Sequence, residues 1–242
     1  MTRLVSAELL KLRTTRTALG FLAAITLLTL GLQAIGYATL DAFDEADLKQ
    51  MLSGAGAVTA LLLVLGIVAT TGEYRHNTIT STVLVTPDRR RIVVSKLGAY
   101  VLTGAFLGLV AMAVSLAAGI PWLSARDISL DALDTGDYAG LVVGGMYAAA
   151  LAGGIGVAIG TIVRNQVAAV VGTLIYLFVV EPALTLIDDE VYGYTIGGGL
   201  GAVSADTGDN LLDPVPGGLI LLAWMVVLGA IGAALEQRRD VV

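Results

Sequence analysis

Apolar residues run through this chain in six long blocks, Ala18–Leu40, Met51–Thr71, Ser95–Leu123, Tyr138–Val163, Gln166–Ile187 and Gly217–Leu235, separated by short polar stretches. Crossing a hydrocarbon core takes about 20 mostly apolar residues. A backbone inside lipid must also satisfy its own hydrogen bonds, so each block predicts a helix. A β-barrel would instead show alternating segments of roughly 10 residues, and the chain has none. The fold class that follows is an all-α membrane protein, with six transmembrane helices in one domain over residues 1–242. The third block is longer than one straight span requires.

The polar stretches add three expectations. In residues 1–17, Leu4, Val5, Leu9 and Leu12 share one side, flanked by Arg3, Lys11 and Arg13. This spacing predicts an amphipathic helix lying in the membrane interface and attracting anionic lipid. The alternative is an ordinary basic flank. A cleavable signal peptide would have an apolar region of about 7–15 residues. Ala18–Leu40 exceeds that and is expected to remain as a span. Between the second and third blocks, Gly72–Val94 contains Asn77, which can cap a helix, and Pro87, which would end one. Ile79, Thr82 and Val83 share a face between them, predicting a short helix along the membrane surface before the basic cluster Arg89–Arg91. A plain hairpin loop is the other reading. In the fourth block Gly140, Gly144, Ala148, Ala152, Gly156 and Gly160 form a stripe of small residues. Such a stripe admits a second backbone closely, from this chain or from another copy.

Charge settles the expected orientation. Hydrophobic residues make up 56% of the chain and charged ones 14%, against about 25% charged in soluble domains. With both termini in the cytoplasm, 12 of the 14 Lys and Arg residues fall inside, and only Lys49 and Arg126 outside. The positive-inside rule favours that arrangement. Most acidic residues lie in the opposite loops, which explains a net charge of −6 in a protein with a basic inner face. There is no cysteine and one histidine, His76, so disulfides, thiolate chemistry and a His-rich metal site are excluded.

Few residues carry candidate chemistry. Glu181 is the carboxylate that lies well inside an apolar block, about 22 Å along the fifth span at 1.5 Å per residue. An intramembrane charge is costly and suggests function by default. It can be protonated, paired with a neighbouring helix, held in a structural hydrogen bond, or placed on a translocation path. Pro182 beside it removes a backbone donor and invites a kink. Asp134-Thr135-Gly136 and Asp206-Thr207-Gly208 spell the aspartic-protease triplet. Both fall in short acidic loops rather than the rigid lobes a carboxylate dyad needs, so coincidence is expected. There is no G-x-x-x-x-G-K-[ST], H-E-x-x-H or G-x-S-x-G. The chain is expected not to be an enzyme and to bind no cofactor.

Glu73-Tyr74-Arg75, followed by Thr78-Ile79, Thr86-Pro87 and Arg90-Arg91, resembles the first cytoplasmic loop of ABC-2-type transporter membrane subunits. Ala7-Glu8-Leu9-Leu10-Lys11-Leu12-Arg13, Glu181-Pro182 and Arg238-Arg239-Asp240-Val241 resemble other parts of that family. The resemblance implies a coupling helix between the second and third spans that docks on a separate ABC ATPase subunit. Glu73, Tyr74, Arg75, Thr78 and Ile79 would form the docking surface, closed by Thr86 and Pro87. ATP and Mg would sit on that partner. Six spans would be half a transporter, paired with a second membrane subunit in a homodimer or heterodimer. Export across a prokaryotic plasma membrane, and short re-entrant helices in Asp188–Pro216 forming an outer gate, are further implications. Glu181 and Pro182 are the gating or path candidates. No nucleic-acid partner is expected. The alternatives are a proton- or ion-coupled secondary transporter using Glu181, and a membrane accessory or immunity protein that transports nothing.

Overall fold

The computed structural model describes residues 2–14, 16–39, 45–53, 56–76, 78, 88–204 and 210–238. Every regular element among them is helical: α1 (Thr2–Thr14), α2 (Arg16–Thr39), α3 (Glu45–Ser53), α4 (Gly56–Arg75), α5 (Arg89–Ser124), α6 (Thr135–Val163), α7 (Gln166–Ile175), α8 (Glu181–Leu184), α9 (Ile196–Val203) and α10 (Pro214–Arg238). Among the described residues, six stretches are long and apolar enough to cross a membrane: Leu19–Ala38, Asp47–Arg75, Arg89–Ser124, Thr135–Val163, Gln166–Leu184 and Pro214–Arg238.

The fourth span, α6, is the axis of the bundle, and its neighbours wrap around it. Its small residues allow this. A Cβ on Gly156 would overlap the carbonyl oxygen of Leu63 in α4, and one on Gly153 would lie 2.6 Å from the carbonyl of Tyr100 in α5. Ala148 and Ala152 are fully buried. Gly144 meets Val203 of α9 and Gly160 meets Ile67 and Thr70 of α4, so this part of the stripe is occupied from within the same chain. The outer helices keep apolar faces uncovered, with Leu27, Phe106, Phe178 and Leu219 among the large exposed side chains. That is the surface a hydrocarbon solvent requires.

Several boundaries differ from the sequence pattern for identifiable reasons. Met51 lies in α3, whose Leu48 and Leu52 are buried with Tyr37, Met112 and Leu123. The third span begins earlier than its apolar block. Asp88 accepts from the Arg91 N–H and starts a helix of 36 residues, about 54 Å long, which exceeds a core of roughly 30 Å. Arg89–Arg91 therefore form its polar first turn. Asp134 and Asp137 build a capping box at the start of α6, which gives the first Asp-Thr-Gly triplet a structural role. The second triplet lies outside the described residues. Residue 1–17 readings also shift. The predicted helix is present over Thr2–Thr14, but Leu12 is buried in the core, with Val5 and Leu9 packed against it. Its apolar stripe faces the bundle.

Arg164 takes a left-handed conformation (φ 57°) and Asn165 caps α7, so Arg164-Asn165 alone reverse the chain between the fourth and fifth spans. The fifth span is interrupted: α7 passes into one π turn, Tyr176–Val180, before α8. The Glu181 N–H bonds to the Tyr176 carbonyl, one residue further back than in an α-helix. The wider turn directly before Pro182 absorbs the backbone donor that proline lacks. A 3-10 helix, Asp189–Tyr194, and α9 then fold back between the fifth and sixth spans.

Candidate functional site

Two groups of polar side chains stand out at opposite ends of the bundle. At the end that carries the N-terminal helix and the close of α10, the last turn of α4 presents Glu73 and Tyr74 to its neighbours. Lys96 Nζ, one turn into the apolar part of α5, lies 2.6 Å from Glu73 Oε1 and 3.1 Å from Glu8 Oε2 of α1. Lys11 Nζ lies 2.8 Å from Glu8 Oε1 and 3.0 Å from Glu73 Oε1. Two ammonium groups and two carboxylates thus alternate and hold α1, α4 and α5 together. Burial works against the charge on Lys11, but the Glu8 and Glu73 carboxylates overcome it and raise the lysine above its ordinary value.

A second network adjoins the first. The Tyr74 hydroxyl donates to Glu236 Oε2 at 2.7 Å, and Arg164 Nη2 lies 2.6 Å from the same oxygen. The Arg164 guanidinium sits 5.1 Å from the centre of the Tyr74 ring, within reach of a cation–π contact. Arg89 Nη1 donates to the Glu236 carbonyl at 3.0 Å. Glu236, near the end of α10, therefore gathers α4 and the reversal after α6 through its buried carboxylate and α5 through its backbone carbonyl.

Of the docking residues expected from sequence, Glu73 and Tyr74 turn into these networks, whereas Arg75 and Thr78 are exposed. Arg75 Nη1 reaches Gln166 Oε1 at 3.5 Å, and the Thr78 N–H bonds to the Glu73 carbonyl at 3.0 Å. Asn77, Ile79, Thr82, Val83, Thr86 and Pro87, with the short helix they were expected to form, lie outside the described residues, as do Arg239, Asp240 and Val241. Glu8, Lys96, Arg164 and Glu236 were not singled out by sequence. Glu8 had a readable signal, because it lies four residues from both Leu4 and Leu12 on the apolar side of α1. Lys96 likewise falls inside the third apolar block.

At the other end, Glu181 is 1% exposed. Its Oε1 and Oε2 each lie 3.0 Å from the Gly197 N–H donor at the start of α9, and the Tyr176 side chain bonds to the same carboxylate. Thr195 caps α9 by accepting from the Gly198 N–H at 3.0 Å. A carboxylate at a helix N-terminus meets unpaired N–H groups and the positive end of the helix dipole. The fifth span and the turned-back segment are joined by this contact. A Cβ at Gly197 would strike the Glu181 carboxylate and force it to shift. Glu181 and Pro182 also border a cavity of about 480 Å3 between α2, α3, α4, the fifth span and α9. The site residues expected from sequence thus fall into two separate regions, joined by the length of the bundle.

Residues 4–180 match the model of a family described as ABC-2 family transporter protein. The match ends immediately before Glu181. No match to a curated protein was found. With well over half of the 242 residues matched and six helices of spanning length, the chain belongs to the ABC-2 family of transporter membrane proteins.

Proposed function

We propose that this chain is the membrane half of an ABC exporter, driven through its first cytoplasmic loop by a separate ATPase subunit. The observation that supports coupling is the pair of charge networks at the last turn of α4. Glu73 ties that turn to α1 and α5, and Tyr74 ties it to α10 and Arg164. A force applied just beyond Arg75 is thereby shared among several spans rather than dissipated in one hairpin. Such a force changes the transport cycle only through contacts that differ between its two states. Arg75 and Thr78 are the exposed residues of the docking surface, continued by Ile79 and closed by Thr86 and Pro87. Both termini lie in the cytoplasm, where the positive-inside rule puts the basic end. ATP and Mg bind the partner ATPase, and a second membrane subunit, identical or related, completes the transporter in a prokaryotic plasma membrane. Glu181 and Pro182 stand on the path or its outer gate. Family membership favours this reading over a secondary transporter or an accessory protein.

Co-expression of the chain with candidate ABC ATPase subunits tests the proposal. Stable co-purification with ATP turnover, both weakened by Arg75→Glu, is the expected result. A folded protein that captures none of the ATPases encoded with it would overturn the coupling assignment.

A further inference from the structure

The cavity beside Glu181 has a chemistry that specifies a ligand. Its volume, about 480 Å3, lies within the range of roughly 300–1,000 Å3 typical of small-molecule sites. Leu177, Phe178 and Leu200 give it apolar walls, while Gln33 and Glu181 supply polar groups. Glu181 is the charged residue among the described lining residues, which include no Lys, Arg or His. The Gly197 and Ile196 N–H groups and the Tyr176 and Thr195 side chains hydrogen-bond its carboxylate, but they contribute dipoles and no formal positive charge. Gln33 adds a second acceptor. Its Nε2 donates to Ser115 Oγ at 2.6 Å, and its buried Oε1 finds no donor among the described residues. Buried acceptors left without donors are uncommon and costly. The rim is open beside Phe178 and Leu32, which are 65% and 42% exposed. Both belong to spans, so entry from the bilayer is available.

We infer that this cavity binds a lipophilic organic cation, a single positive charge on an apolar body, with Glu181 as its counter-ion and Gln33 as a polar contact. An anion would meet an uncompensated carboxylate in a medium of low dielectric, where like charges repel strongly. A neutral amphiphile would leave that carboxylate without a counter-charge. A cation supplies the missing charge, and the ring of Phe178 on the wall offers a further attractive face. This inference rests on the transport reading for its biological sense, since the ligand would be cargo. The binding itself does not depend on an ATPase.

The test compares two ions of nearly equal shape and opposite charge. The full chain in lipid nanodiscs is dialysed against radiolabelled tetraphenylphosphonium or tetraphenylborate, with empty nanodiscs subtracted. Saturable retention of the phosphonium at least about tenfold tighter than that of the borate is expected, a difference of one decade in Kd. Glu181→Gln, which keeps an acceptor for Gly197, should remove most of the preference. Ala60→Phe, which fills the cavity and leaves the carboxylate in place, should abolish retention of both ions. Equal retention of the two ions by the unaltered protein would refute the assignment, and so would a preference that survives both substitutions in folded protein. ATPase capture is scored separately. Capture without cation preference refutes the cavity assignment alone, and cation preference without capture refutes the transport reading alone.

Discussion

Lys96 and Glu73, 23 positions apart in the sequence, meet at 2.6 Å with 4% and 12% of their side chains exposed. Glu8 closes on the same ammonium group from α1. Removing the lysine would leave two largely buried carboxylates with only the half-exposed Lys11 ammonium between them. Breaking a buried pair on one side commonly costs about 3–5 kcal/mol. Lys96→Met is therefore expected to lower the thermal stability of the detergent-solubilised protein severely. Adding Glu73→Gln to it should restore part of the loss, because Lys11 would then balance the one carboxylate that remains. A double-mutant cycle measured by thermal unfolding gives the coupling directly.

The Glu236 network predicts a different pattern. Glu236→Gln keeps the size of the side chain and an acceptor for Tyr74 but removes the charge that faces Arg164. Hydrogen bonds to charged groups contribute about 1.5–3 kcal/mol. Loss on this scale is expected in the single variant, and Arg164→Gln in the same background should add little. Each variant should also reduce coupling between ATP turnover and transport, measured as ATP hydrolysed per substrate moved, if the turn carrying Tyr74 transmits the stroke. Unchanged coupling in a variant that is less stable would assign the network to folding only.

Mutagenesis of the docking turn must separate two kinds of residue. Glu73 is held by Lys11 and Lys96, so Glu73→Ala is expected to destabilise the protein and to lower ATPase capture indirectly. Arg75 is exposed and makes one long hydrogen bond to Gln166. Surface contacts of that kind contribute about 0–1 kcal/mol. Arg75→Glu should therefore leave the unfolding temperature nearly unchanged while weakening capture at least about tenfold, equivalent to 1.4 kcal/mol. Size-exclusion profiles and pull-down of the same preparations distinguish these outcomes.

The spans were legible because a bilayer imposes length and apolarity on each one, and those are properties of consecutive residues. The two charge networks were much less so. Glu73 and Tyr74 were noticed as part of a loop, and their partners Glu8, Lys96, Arg164 and Glu236 lie in other segments. Pairing across 23 to 162 positions depends on how helices are arranged, which local pattern does not specify. Glu181 shows both sides of this limit. Its oddity in an apolar run was readable, but its contact with Gly197 required knowing that α9 turns back onto the fifth span. The π turn is similar: Pro182 announced a disturbance, and only the backbone shows that the disturbance is a widened turn instead of a sharp bend.

The packing around α6 gives the last expectation. Gly66 of α4 and Gly156 of α6 face each other so closely that a Cβ on Gly66 would lie 2.8 Å from the Val157 nitrogen, and one on Gly156 would overlap the Leu63 carbonyl oxygen. The obstacle in both cases is backbone, which cannot move aside as a flexible side chain can. Gly140, by contrast, lies on the same small-residue stripe with nothing within 4 Å of its added Cβ. Close approach of this kind is how helices associate where lipid removes the hydrophobic incentive. Gly156→Ala should therefore separate α4 from α6 and destabilise the protein by about 1–3 kcal/mol, the usual range for overpacking. Gly140→Ala should be neutral or slightly stabilising, since alanine favours a helix over glycine by roughly 1 kcal/mol. Thermal unfolding of the two variants in one detergent provides the comparison. Equal effects would mean that the α4–α6 crossing is looser than its geometry requires, and would remove α6 from its role as the axis around which the other spans pack.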